Sequence, residues 1–346
     1  MIEKRPITSV DVAKLAGVSQ VTVSRTLSGN TPVSDKTRTR VMEAVQELGY
    51  RPNSAARAAR TGKTGNIGLL LSTEKSRSRI EPELIQSIHD ALNEKNLHLT
   101  VSIMKNEQLT DKDKVPRLLT DLLADGLICN YTHDIPPALL EMVSQYNIPV
   151  IWVNASFDHD CILPNDFEAG RLATEHLIAQ GHRSIGYVAF VESGHYSEES
   201  RLAGYQAAME SAGLEPNVRL LHTTNLIKKE PTVDDNRLDL CLSYLQEPDL
   251  PTAVVTYSMA TVYPLWAGAQ KLGRNIPEDL SIITIGDTLK NPFGKTISTV
   301  ILPAEKIGRQ AVEAVLKKVK RPSEKLPPTK IKPVLYVGSS TTKAPS

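Results

Sequence analysis

The spacing of apolar positions changes rhythm once along the chain. Up to about residue 50 they recur every three or four residues, the signature of amphipathic helices. Thr8 with Asp11 three residues on marks a helix start, and Val12, Leu15 and Ala16 follow at helical spacing. Gly17 stops that helix and Ser19 caps the next, predicted from about Gln20 to Leu27 with Val23 and Leu27 inward. A third helix follows Ser34, with Val41, Val45 and Leu48 inward and Gly49 as its stop. Two short helices joined by a glycine-containing turn, with a third packed on them, form a helix-turn-helix unit.

From Asn66 short apolar runs alternate with helical segments. Strands are predicted at Ile67–Leu71, Leu99–Met104, Gly126–Tyr131 and Val150–Asn154, with helices at Pro82–Lys95, Lys112–Ala124 and Pro137–Tyr146 between them. A second series follows, with strands at Ser184–Phe190, Val218–Thr223, Ala253–Tyr257 and Ser281–Ile285. Its helices are Asp166–Gln180, Glu198–Ala212, Asp234–Gln246 and Ala260–Leu272. Near-continuous apolar strands alternating with helices imply parallel sheets covered on both faces. The predicted class is therefore α/β: a three-helix headpiece followed by two doubly wound parallel-sheet lobes. Ala304–Lys320 adds an amphipathic helix, Arg321–Pro333 a proline-rich crossover and Lys332–Val337 a late strand. Between head and lobes, Asn53 can cap a short Ala-rich helix ending before Gly62. So short a helix is marginal in water.

Composition adds one asymmetry. The chain of 346 residues carries a net charge of only +1. Through Lys63, however, it holds eleven Lys or Arg against five acids, so a basic head sits on a mildly acidic body. That places any polyanion contact at the head. The three cysteines, Cys129, Cys161 and Cys241, lack metal-site spacing and suit neither a disulfide framework nor a zinc site. No apolar run reaches membrane-spanning length and no apolar segment opens the chain, so a cytoplasmic protein without a membrane role is expected. The Gly-Lys-Thr at Gly62 is not a phosphate-binding loop, because Arg57 stands where the earlier glycine is needed.

The chemistry of the head points to double-stranded DNA. A helix fits the major groove, and the first residues of the second helix meet base edges there. Here these are Gln20 and Val21, with Arg25 one turn on: Gln pairs with adenine, Arg with guanine, and Val touches a thymine methyl. Thr8, Ser19, Thr22, Ser24, Ser34 and Thr37 add short hydroxyls suited to phosphate oxygens. A capped helical bundle without a ligand is the competing reading of the same pattern.

Several segments together resemble the headpiece of the LacI/GalR family of bacterial repressors. They are Asp11-Val12-Ala13, Ala16-Gly17-Val18-Ser19, Thr22-Val23-Ser24-Arg25, Val33-Ser34 with Thr37-Arg38, and Leu48-Gly49-Tyr50-Arg51-Pro52-Asn53. The resemblance adds Tyr50, Asn53, Ala56, Arg57 and Ala59 to the DNA-contacting set. It implies that residues 53–63 form a hinge helix that orders on the operator and enters the minor groove. The family places a leucine wedge where this chain has Ala59, and a methyl group is a poor wedge. The implied organisation is a headpiece over 1–52, a hinge over 53–63 and an effector-binding core over 64–346 that resembles a periplasmic sugar-binding protein. The chain would pass between lobes near residues 163, 290 and 327, giving one lobe 64–163 and 291–326 and the other 164–290 and 327–346.

Ligands of doubly wound sheets bind beyond the carboxyl ends of the strands. That points to Ser72, Tyr131, Asn154, Tyr257 and Gly286 with neighbours Ser258 and Asp287; Trp152, Tyr131, Tyr257 and Tyr263 offer stacking faces. Arg201, in Arg201-Leu202-Ala203-Gly204-Tyr205, matches the family segment whose arginine commonly contacts effector. The family's Asn-Asp after the strand ending near Thr256 is Ser258-Met259 here, and the first Asp of its Gly-aromatic-Asp-Asp is Gly286; losing those acidic positions, which hold sugar hydroxyls in the family, weakens the case for a sugar. Trp266 and His182 read as packing residues; His195 and Tyr196 fall in a polar loop at the cleft mouth. The function expected is a sequence-specific DNA-binding transcriptional regulator of repressor type. It would act as a homodimer on operator DNA under control of a small-molecule effector, with no cofactor and no catalysis. The alternatives are a solute-binding protein, which lacks an export signal here, and an enzyme on a doubly wound fold. No nucleotide, metal or nucleophile motif supports the enzyme.

Overall fold

The computed structural model describes residues 7–28, 32–50, 62–74, 77–78, 80–105, 107, 124–145, 147–191, 194–223 and 236–345. The chain divides into two compact units, residues 1–64 and 65–346.

In the first unit, α1 (Ser9–Ala16), α2 (Gln20–Ser28) and α3 (Asp35–Leu48) enclose Val12, Ala13, Ala16, Val23, Val41 and Ala44. The start of α1 is fixed by the Asp11 carboxylate, which accepts the Thr8 N–H at 2.9 Å and the Thr8 hydroxyl at 2.8 Å. Gly17 and Gly49 end α1 and α3 in the left-handed region, at φ 61° and 60°. Leu15, at helical spacing from Val12, is 46% exposed; Ala13, beside Val12 and Ala16, completes the inward stripe.

The second unit holds two sheets. The first contains β1 (Asn66–Ser72), β2 (His98–Met104), β3 (Gly126–Asn130), β4 (Val150–Val153) and β5 (Cys161–Pro164). With β11 (Thr329–Ile331) its order is β11-β5-β4-β3-β1-β2, parallel throughout. The helices α4 (Pro82–Asn93), α5 (Pro137–Gln145) and α10 (Ala304–Lys320) accompany it. The second sheet contains β6 (Ile185–Val191), β7 (Asn217–His222), β8 (Ala253–Thr256), β9 (Ser281–Gly286), β10 (Ser298–Ile301) and β12 (Val334–Tyr336). Its order is β12-β10-β9-β8-β6-β7, with β12 antiparallel to β10. Among the described residues this lobe holds α6 (Asp166–Ala179), α7 (Tyr196–Ser211), α8 (Arg237–Leu245) and α9 (Met259–Lys271).

The central strands of each sheet are buried on both faces, so each lobe carries two apolar clusters, while β2 and β7 at the edges are partly exposed. The strands place the crossings at Asn165, between Ile301 and Ala304, and between Ile331 and Val334. Two of these differ from the expected positions near 290 and 327. The cause is the short strands β10 and β11, which the apolar pattern missed: Ser298 and Thr299 open one, and a lysine sits inside the other. The predicted helix at Lys112–Ala124 lies largely outside the described residues. All three cysteines are free and buried.

Candidate functional site

In the first unit the helix-turn-helix surface is built from caps. Ser19 Oγ accepts the Thr22 N–H at 3.2 Å and its hydroxyl pairs with that of Thr22 at 2.9 Å. Ser34 treats Thr37 in the same way, at 3.3 and 2.9 Å. These hydroxyls hold the helix starts, and Thr8, Ser19, Ser34 and Thr37 keep their polar ends at the surface. Gln20, Val21 and Arg25 are exposed on α2, Val21 by 59%, while Thr22 and Ser24 are half-buried beside them. Gln20 donates Nε2 to Ser9 Oγ at 2.9 Å, which orients its amide. Tyr50 packs on the three-helix core. Asn53, Ala56, Arg57 and Ala59 lie outside the described residues. Sequence reasoning missed Arg40, whose guanidinium donates to the carbonyls of Ala16 and Gly17 and closes the turn between α1 and α2. A long-range cation on a helix-end carbonyl leaves no local pattern in a sequence.

In the second unit a cavity of about 230 Å³ opens between the lobes. Thr132, His133 and Ser156 line it from one lobe; Gly194, His195, Tyr196, Glu198 and Glu199 line it from the other. None of the eight residues expected at the effector site lines this cavity directly. Two of them, Tyr257 and Arg201, stand behind it along a chain of hydrogen bonds. His195 caps α7 by accepting the Ser197 N–H at 3.1 Å, Ser197 bonds the Tyr257 hydroxyl at 2.8 Å, and the Tyr257 carbonyl accepts Arg201 Nη1 at 2.8 Å. Arg201 also lies 4.5 Å above the Tyr257 ring and gives Nε to Asp166 Oδ1 at 2.8 Å. Burial pulls the guanidinium down, and the carboxylate of Asp166 outweighs it, so the net shift is upward. His195 is pushed down to about 4, first by burial, then by Arg201 and by His133.

Two glycines make this arrangement possible. A Cβ on Gly170 would meet the Arg201 carbonyl at 2.0 Å, and one on Gly204 the Phe167 carbonyl at the same distance. The backbones of α6 and α7 therefore touch, and Arg201 arrives beside Asp166. On the facing lobe, Asn154 stands at φ 55° and donates its amide to Asn130 at 3.0 Å. Ser72 is buried and accepts the Glu74 N–H at 3.0 Å. Trp152 and Tyr131 are both in the apolar core, Trp152 with its ring 5.2 Å from Phe157. Ser258 precedes α9 and Asp287 follows β9, both half-buried. Tyr263, offered as a stacking face, is 44% exposed. Trp266 is core, and His182 is held by Thr252 at 2.9 Å and the Thr342 carbonyl at 3.0 Å, in keeping with packing roles. The cavity residues missed from sequence carry a faint signal: Thr132, His133 and Ser156 follow predicted strand ends, and Glu198 and Glu199 open the helix of Arg201. Among the described residues no cluster suits a metal ion, and no helix is long and apolar enough to cross a membrane.

Comparison with known proteins gives the same two parts. Residues 9–53 match the model of bacterial regulatory proteins of the lacI family, and residues 174–341 match a periplasmic binding protein-like domain. The HTH-type transcriptional repressor PurR of Vibrio vulnificus (strain CMCP6) is 30% identical over 318 residues, covering 90% of this chain and 91% of that one. PurR of Actinobacillus pleuropneumoniae serotype 3 (strain JL03) is 29% identical over 320 residues, with 90% of each chain covered. The Lac repressor dimer bound to operator and the anti-inducer ONPF shares the fold, with a TM-score of 0.75 at 22% identity over 98% of this chain and 100% of that one. The transcriptional regulator CelR–cellobiose complex shares it with a TM-score of 0.60 at 21% identity, covering 96% and 99% of the two chains. This chain belongs to the LacI family of bacterial regulatory proteins and is a DNA-binding transcriptional regulator rather than an enzyme.

Proposed function

We propose that the chain is a cytoplasmic repressor whose hold on operator DNA is set by a small molecule bound between its two lobes. The observation that carries this reading is the inter-lobe cavity, walled by Thr132, His133 and Ser156 on one side and by the start of α7 on the other. A ligand touching both walls changes the energy of one lobe arrangement relative to another, which is what control by an effector requires. Residues 1–52 act as the DNA-reading head, 53–63 as a hinge with Arg57 seeking the minor groove, and 64–346 as the sensor. Within the head, Gln20, Val21 and Arg25 read bases; Thr8, Ser19, Thr22, Ser24, Ser34, Thr37, Tyr50 and Asn53 position the phosphate backbone.

A homodimer sets two heads on successive major grooves of a near-palindromic site. The strands β2 and β7, at the sheet edges among the described residues, support it: Val101, Ile103 and Leu220 on them are 45%, 62% and 46% exposed. The solved Lac repressor relative is described as a dimer on operator, and the CelR relative as a cellobiose complex.

The test uses a duplex selected from a random pool by the full chain, and a small-molecule extract of the host cells. The extract is expected to change duplex affinity of the wild type. Ser156→Trp, which fills the cavity, should keep duplex binding and lose the response. A response of equal size in Ser156→Trp would place the effector elsewhere.

A further inference from the structure

Two histidines face each other across the cavity, His133 from the first lobe and His195 from the second, with ring centroids 6.3 Å apart. His195 engages both lobes. On its own side it caps α7: Nδ1 accepts the Ser197 N–H at 3.1 Å and pairs with the Ser197 hydroxyl at 2.7 Å. Toward the other lobe the ring makes a backbone hydrogen bond to Asn154. A ring nitrogen that accepts an N–H carries no hydrogen, so Nδ1 is bare and Nε2 holds the one proton, which goes to the Asn154 carbonyl. The next residue, Tyr196, packs its ring on the apolar cluster of the facing lobe, which contains Trp152.

This bridge works only with a neutral imidazole. A second proton has to enter on Nδ1, where the Ser197 hydroxyl can still accept but the N–H cannot, so α7 loses its cap. The charge is also badly placed. Arg201 follows on the same helix and His133 stands opposite, and both push against a cation on His195. The acids nearby do not offset them. Asp166 is held by Arg201 and Asp134 by Arg77. Glu198 and Glu199 line the cavity from α7 but are outweighed by burial together with Arg201 and His133. Tyr196 and Tyr257 stay neutral, their hydroxyls pushed upward by burial.

We propose that His195 is a proton-operated latch between the lobes: neutral, it ties the start of α7 to the first lobe, and protonated, it lets the lobes part. Parting hydrates the ring and returns it from about 4 toward its ordinary 6.5, so acid favours the open arrangement by about tenfold between pH 7.5 and pH 5.5. The eight histidines run from His89 to His222, so the head has none and a proton signal in this range enters through the body. The consequence for DNA rests on the reading of the cavity as the control point; the latch itself does not.

The experiment follows the tryptophan emission and circular dichroism of the full chain from about pH 8 to about pH 4.5, and retention of a selected duplex at pH 7.5 and pH 5.5. Trp152 belongs to the cluster that Tyr196 covers, so its emission reports parting of the lobes; Trp266, in the core of the second lobe, is the constant background. Emission should move to the red with a midpoint between 4 and 6.5 while helix content holds, and duplex affinity should change by about threefold or more. His195→Gln keeps an uncharged donor for Asn154, His195→Asn keeps an acceptor for the cap, and neither titrates. The transition should vanish in both and shrink in His133→Gln. No transition in the wild type, the same transition in the folded His195 variants, or loss of helix signal at the same midpoint overturns the latch. A His195-dependent transition with duplex affinity unchanged upholds the latch and overturns control of DNA by the lobes.

Discussion

At the scale of single residues, three side chains carry distinct tasks. Arg25 is exposed on α2 one turn beyond Gln20 and Val21, on the helix proposed above to read bases. Arg25→Ala is expected to cost about 1–3 kcal/mol of specific binding and to relax preference at one base pair, measured by duplex selection. An unchanged selected motif would remove it from the base-reading set. Arg201 is different, because it is buried against a buried carboxylate. Arg201→Ala should destabilise the core by about 3–5 kcal/mol in urea denaturation, since Asp166 is left as an uncompensated charge. A loss below 1 kcal/mol would show that water reaches the pair. His195 has a folded pKa of about 4 against an ordinary 6.5, so between these values the unfolded chain binds the extra proton. Stability therefore falls as pH drops through that window, and between pH 7 and pH 5 this group accounts for about 2 kcal/mol. His176 and His182, lowered chiefly by burial, act in the same direction. In His195→Gln the acid-side loss should shrink by that amount; an unchanged pH slope would contradict the assignment.

Elements depend on how closely they approach. The helices α6 and α7 touch through Gly170 and Gly204, and a Cβ at Gly204 would lie 2.0 Å from the Phe167 carbonyl and 2.8 Å from the Arg171 N. Both obstacles are backbone, so neither rotates away. Gly204→Ala is expected to cost about 2–3 kcal/mol and to move Arg201 off Asp166, read as a lower urea midpoint and a weaker metabolite response. Wild-type stability in that variant would show that the helices separate freely. This scale also shows what the sequence could and could not reveal. Long apolar runs such as Gly126–Asn130 and the caps at Thr8, Ser19 and Ser34 were legible because their causes are local. Strands β10 and β11 were not: each is a short piece of three or four residues, polar at its start or middle, made a strand by the sheet it joins. The same holds for the site. Arg201 was found through its motif, whereas Asp166 became visible only when folding brought two positions 35 residues apart within 2.8 Å.

On the scale of the whole molecule, a basic head is followed along the chain by a two-lobed sensor. The division of charge places the polyanion at the head, and the cavity between lobes places the signal in the body. Effector and DNA then share one free energy of coupling, and each must change the affinity of the other by the same factor. The measurement that bears most directly on this account is duplex selection followed by gel retention, at several salt concentrations, with the full chain and with residues 65–346 alone. The full chain should retain a selected duplex with two symmetric half-sites, with affinity falling as salt rises, and residues 65–346 should retain none. Equal retention by residues 65–346, or no selected sequence from the full chain at any salt, would contradict it.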